Sequence, residues 1–132
     1  MTPRGRGRKR RRRVMSFLQP CLLVMLHRGS AHGYSLWNGL DEFGFNLDRL
    51  DPSLVYRALR EMEGTNLVTS EWEDESLGPQ RRVYRITEEG EGALTQWVAD
   101  LRRTRQDIDY LLAAYDNVAQ PKEEEQEENP EV

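Results

Sequence analysis

Three sets of residues in this chain have types and spacings that could do chemistry. The run RGRGRKRRRR, Arg4 to Arg13, holds eight cations in ten residues, and such a row suits a polyanion because each cation can displace a condensed counterion. Ser53, Tyr56, Arg57 and Arg60 recur at helical spacing. Hydroxyls of this kind hold phosphates, and an arginine fork can bond guanine at two atoms. Arg81 and Arg82 follow Gly78-Pro79, where cations at a loop tip would meet phosphate or a narrow groove. The bland counterparts are a solvated tail, a solvated helix face and ordinary strand arginines. His27, His32 and Cys21 are metal-ligand types, yet they lack the paired spacing of a zinc site and Cys21 sits in the apolar run PCLLVML. Core or turn roles are expected for them, and no metal. With no nucleophile-base constellation and no phosphate-cradling glycine loop, neither an enzyme nor a cofactor is expected.

The formal net charge of -4 hides a strong asymmetry. Between Val14 and Tyr115 there are ten Arg against sixteen acids, and from Asp116 to Val132 seven acids against Lys122 alone. A basic arm, a mildly acidic globule and an acidic tail point to polyanion contact or interaction tails. The 132 residues suffice for one small domain with appendages. A lone cysteine suits a reducing compartment. PCLLVML is far shorter than the roughly 20 apolar residues a bilayer requires, and no cleavage-site pattern follows it. A soluble cytoplasmic protein with no membrane contact is expected.

These residues need elements to position them. Phe17 to Leu26 is nearly continuously apolar, with Pro20 suited to a first helical turn, and predicts a buried helix ending near Gly29. A second helix is predicted from about Ala31 to Phe43, with Tyr34, Leu36, Trp37 and Leu40 on its apolar side and Gly44 as its stop. Asp51-Pro52 begins a third, through about Glu63 and closed by Gly64, because Asp accepts from free N–H groups and Pro presets φ. Its residues Leu54, Val55, Ala58, Leu59 and Met62 fall on one side, opposite Ser53, Tyr56, Arg57 and Arg60. LVTSEW and RRVYRI then read as a hairpin with a long tip, Tyr84 packing on Trp72 across the strands. Thr87 caps a last helix whose seam is Leu94, Trp97, Leu101, Thr104, Ile108, Leu111, Tyr115 and Val118, at alternating steps of three and four. A seam this long outruns a small globule, so a second copy of the chain is expected against it. Trp37, Trp72 and Trp97 are expected to supply buried area in the core or an interface, as large aromatics usually do.

The expected fold class is mainly α with a small β-hairpin: a winged helix-turn-helix plus a C-terminal dimerisation helix. Its parts are a disordered basic arm (1–15), the winged helix-turn-helix (16–87), the dimerisation helix (88–118) and a disordered acidic tail (119–132). In such an order the capped third helix enters the major groove of double-stranded DNA and the wing reaches the adjoining backbone.

AHGYSL, DPSLVYRALREMEGTNLV, SEW and GPQRRVYRITEEG, in this order and spacing, resemble the PadR-like family of bacterial transcriptional regulators over roughly residues 17–115. The resemblance implies a homodimer formed through the C-terminal helix and a palindromic operator. It also implies a repressor released by a small hydrophobic ligand. Shorter members of the family use a tryptophan of that helix to stack flat aromatic compounds, which brings in Trp97; here it lies about one turn nearer the helix start, with Leu101 closer to the equivalent place. The expected DNA contacts are Ser53, Tyr56, Arg57, Arg60, Arg81 and Arg82, with Arg10, Arg11, Arg12 and Arg13 as a cationic arm. Arg60 has the alternative of pairing with Glu63 or Asp51. The expected dimer contacts are Leu94, Trp97, Leu101, Ile108, Leu111 and Tyr115, with Trp97 also the expected ligand contact. The runner-up reading is a winged-helix protein-interaction module that uses the acidic tail.

Overall fold

In the computed structural model, which describes residues 17–73 and 81–119, helix α1 (Leu18–Arg28) buries Leu18, Pro20, Leu22, Leu23 and Leu26. Pro20 lies in the first turn, where its missing N–H leaves no intrahelical bond unmade. The Gly29 N–H donates to the Leu26 carbonyl and ends the helix. Arg28 in the last turn grips Glu42 through two hydrogen bonds of 2.8 and 2.6 Å, and the guanidinium holds the Glu42 carboxyl below its ordinary range.

The predicted helix over 31–43 resolves into three pieces. Ala31–His32 is a short strand, β1; α2 covers Gly33–Gly39; a 3-10 turn over Leu40–Phe43 follows. His32 is extended, at φ -78 and ψ 155, so two residues pair with a distant strand instead of starting the helix. Two-residue pairing leaves no periodicity to read. Leu36 and Leu40 are buried, but Tyr34 is 65% exposed and rests its ring 5.5 Å from that of Trp37. Gly44 stops the segment in the left-handed region, φ 88, where a Cβ would cost energy.

Helix α3 (Pro52–Gly64) starts as its sequence dictates, with the Asp51 side chain accepting from the Ser53 N–H and Pro52 in the first turn. Val55, Ala58, Leu59 and Met62 are buried. Its end differs from expectation: Gly64 is still helical, Thr65 is the cap, and Asn66 carries the left-handed turn at φ 67. Asn tolerates that region better than most residues with a side chain.

Strands β2 (Val68–Glu73) and β3 (Arg81–Ile86) form the wing, and β1 adds to its other side, giving the order β1-β3-β2, all antiparallel. The sheet therefore has a third strand that the hairpin pattern alone does not foretell. The tip expected around Gly78-Pro79 lies outside the described residues. The register pairs Ser70 with Tyr84 and Trp72 with Arg82. Tyr84 and Trp72 are thus diagonal neighbours on one strand face rather than directly opposed, and Tyr84 is buried whereas Trp72 is 53% exposed.

Helix α4 (Glu88–Ala119) is capped by Thr87, whose Oγ1 accepts the Gly90 N–H at 2.9 Å and donates to the Asn66 carbonyl at 2.7 Å. Glu88, Glu89 and Glu91 occupy its first turn, where the N-terminal dipole favours negative charge. Gly90 is required by packing: an added Cβ would lie 2.7 Å from Ile86 Cγ1 and closer still to the Leu67 carbonyl oxygen. The chain divides into two compact units, one through Gln96 and one from Trp97. Among the described residues no helix is long and apolar enough to cross a membrane.

Candidate nucleic-acid interface

The amphipathic pattern of α3 fixes which side chains it can offer. Burying Val55, Ala58, Leu59 and Met62 turns the opposite face outward, and Ser53, Tyr56, Arg57 and Arg60 are all exposed there. Arg60 forms no salt bridge with Glu63 or Asp51 among the described residues; Glu63 instead accepts from the Ser70 hydroxyl at 2.7 Å.

Beside this face, the start of α2, Tyr56 of α3 and the wing enclose a cleft of about 500 Å³. Tyr34, Ser35, Tyr56, Trp72, Arg81 and Arg82 are among the residues that line it. Gly33 makes this possible, because a Cβ there would come within 3.0 Å of Tyr56 Cζ and closer to Cε1. Tyr84 forms part of the floor, and burial pushes its phenol upward in pKa. Of the residues expected on DNA, the cleft gathers Tyr56, Arg81 and Arg82; Ser53, Arg57 and Arg60 lie outside it on α3.

The wing arginines differ in setting. Arg82 donates from Nε to Ser70 Oγ at 2.7 Å and lies 5.0 Å from the Trp72 ring centroid. Arg81 is exposed, and Arg85 faces Glu71 at 3.6 Å. Residues Arg10, Arg11, Arg12 and Arg13, like the acidic tail from residue 120, lie outside the described residues.

Both histidines have carboxylate partners. His27 Nδ1 lies 2.7 Å from Glu91 and His32 Nε2 lies 2.5 Å from Glu73, so the first links α1 to α4 and the second links β1 to the wing. Among the described residues no group of three or more His, Cys, Asp or Glu is placed to hold a metal ion. Cys21 is half-buried, and desolvation lifts its thiol to about 11.

On α4, Leu94 is buried and Trp97 and Leu101 are half-buried. Farther along, Ile108, Leu111 and Tyr115 are 48%, 68% and 66% exposed. Tyr110, Leu112 and Val118 are exposed as well.

Residues 22–96 match the model of the transcriptional regulator PadR-like family. The chain belongs to the PadR-like family. The matched span runs from α1 into the first part of α4, and so contains every element that builds the cleft. As a PadR-like protein it is a DNA-binding transcriptional regulator, from a family of regulators rather than enzymes. Sixty-nine chains of solved structure match it. One is a PadR family regulator from Eggerthella lenta, 25% identical, covering 80% of this chain and 90% of that one at a TM-score of 0.71. Another is a PadR-like regulator from Bacillus cereus, 26% identical, covering 74% and 92% at a TM-score of 0.64. A comparison with curated proteins gave no match.

In this PadR-like regulator, sequence reasoning passes over the Glu63–Ser70–Arg82–Trp72 chain of contacts. The alternation of β2 and β3 is visible, but the strand register is not, and register decides which side chains meet.

Proposed function

We propose that the protein is a homodimeric repressor that reads a palindromic operator and is released from it by a small hydrophobic ligand. The exposed α3 face beside a cleft lined by Arg81 and Arg82 carries this reading. Tyr56 and Ser53 fix the helix on the backbone through their hydroxyls; Arg57 reaches base edges, where its fork can bond guanine at two atoms. Arg60, farther along the helix, meets the flanking phosphate. Arg81 and Arg82 place the wing on the adjoining backbone. Arg10 to Arg13 add sequence-independent charge that the mildly acidic globule lacks.

The exposed apolar residues of α4 support the dimer. Ile108, Leu111 and Tyr115 recur at steps of three and four, the spacing of a two-helix seam, and leaving them in water is costly. Leu94, Trp97 and Leu101 continue the seam toward the helix start, and Trp97 offers the flat surface on which an aromatic effector stacks.

Selection of duplexes from a random pool, followed by footprinting, tests the reading. A recovered sequence with dyad symmetry, protected from cleavage by the full chain and bound more tightly than its scrambled version, is expected. Equal affinity for selected and scrambled duplexes would remove the operator from the proposal.

A further inference from the structure

The inner face of the wing holds a chain of contacts that the α3 face does not account for. Glu63 accepts a hydrogen bond from the Ser70 hydroxyl at 2.7 Å, and Ser70 Oγ accepts from Arg82 Nε at 2.7 Å. Arg82 Nη2 stops 4.0 Å from Glu63, beyond hydrogen-bonding distance, so with respect to the described residues its terminal nitrogens keep donors to offer. The guanidinium lies 5.0 Å from the Trp72 ring centroid, in cation-π range.

Trp72 itself is 53% exposed on the strand face whose other members include buried Val68 and Tyr84. A large ring held in water by a stacked cation keeps apolar area available for a partner. It lines the same cleft as the hydroxyl-bearing residues Tyr34, Ser35 and Tyr56. Among the described lining residues none is a carboxylate. Hydroxyl and guanidinium donors beside an exposed flat ring fit an anionic oxygen next to a weakly polar sugar.

We propose that Trp72 packs against a deoxyribose of the DNA backbone while Arg82 takes the adjoining phosphate, and that Glu63 and Ser70 are positioning residues that hold Arg82 against the ring. This rests on the DNA-reading assignment made above. It gives Glu63 an unusual sign: a carboxylate that favours binding to a polyanion because it fixes a cation. By charge alone, its removal would strengthen binding.

The test is a salt titration of the full chain against a mixed-sequence duplex, read by fluorescence anisotropy. The variants are Trp72→Ala, Trp72→Phe, Ser70→Ala and Glu63→Ala, with thermal melts run alongside. Trp72→Ala is expected to weaken binding about tenfold, with Trp72→Phe recovering much of the loss. Ser70→Ala and Glu63→Ala are expected to weaken binding severalfold and to flatten the slope of log affinity against log salt by about 0.9 for each phosphate that is no longer neutralised. If either positioning variant fails to fold, the comparison of Trp72→Ala with Trp72→Phe decides. Wild-type affinity in Trp72→Ala, or tighter binding by Glu63→Ala, would overturn the proposal. Arg57→Ala, run on a selected operator, separates the two readings. Its loss of affinity beside an unaffected Trp72→Ala sinks this inference alone, and no DNA binding by the wild-type chain sinks both.

Discussion

Gly33 and Tyr56 share one small space: a Cβ at residue 33 would come within 3.0 Å of the tyrosine Cζ and nearer still to Cε1. The turn into α2 is thus shaped by the side chain that α3 sends into the cleft. Tyr56 is 36% exposed, so it can swing away at little cost. Gly33→Ala is expected to cost about 1 kcal/mol, the low end for overpacking, while weakening DNA binding because Tyr56 is displaced. Urea denaturation and anisotropy on the same variant check this; an unfolded variant, or an unchanged affinity, would count against it.

Gly90 presents the opposite case. Its neighbours are the Leu67 carbonyl oxygen and Ile86 Cγ1 at 2.7 Å, and backbone cannot rotate aside. Gly90→Ala is expected to cost about 2–3 kcal/mol in urea denaturation, in the upper range for overpacking. Thr87→Ala, which removes the cap on the Gly90 N–H and the bond to the Asn66 carbonyl, is expected to cost about 1–2 kcal/mol.

Cys21 is a half-buried thiol whose pKa stands at about 11 against an ordinary 9.0. Folding therefore favours the protonated form. Its contribution is fully present below pH 9 and is lost as pH rises toward 11. At pH 8 the native thiolate fraction is lower than the unfolded one by about a hundredfold, and alkylation by iodoacetamide should slow at least that much in the native state. Equal rates in native and urea-unfolded protein would contradict this.

Leu111 and Tyr115 are exposed side chains four residues apart on α4. If they belong to a dimer seam, Leu111→Glu is expected to shift the protein from dimer to monomer in sedimentation velocity at micromolar concentration, since an unpaired charge in a helix seam is strongly disfavoured. Retention of the wild-type mass would remove Leu111 from the seam.

Helices α1, α3 and α4 are legible in the sequence because each carries its own signals. Asp51-Pro52 marks the start of α3 by a capping carboxylate and a preset φ, and Val55, Leu59 and Met62 repeat with the helical period, so the outward face of Ser53, Tyr56, Arg57 and Arg60 follows directly. Thr87 followed by Glu88 and Glu89 marks the start of α4 in the same local way. Relationships between distant residues are not legible. The pairing of Ala31 with Tyr84 across the chain leaves no pattern in two residues. Gly64 is the natural stop for α3 by residue type, yet Asn66 takes the left-handed turn, and the two choices cannot be separated without knowing where Leu67 must go. The size of Trp72 predicts burial, yet it is 53% exposed near the end of the strand face that buries Val68 and Tyr84.

The most direct measurement is the affinity of wild-type protein and Arg57→Ala for a selected operator and for its scrambled version, at one salt concentration. Arg57 is exposed on the outward face of α3. If it reads a base, the variant should lose about 1–3 kcal/mol on the operator and little on scrambled DNA. An equal loss on both duplexes, or none on either, would contradict a reading head in α3.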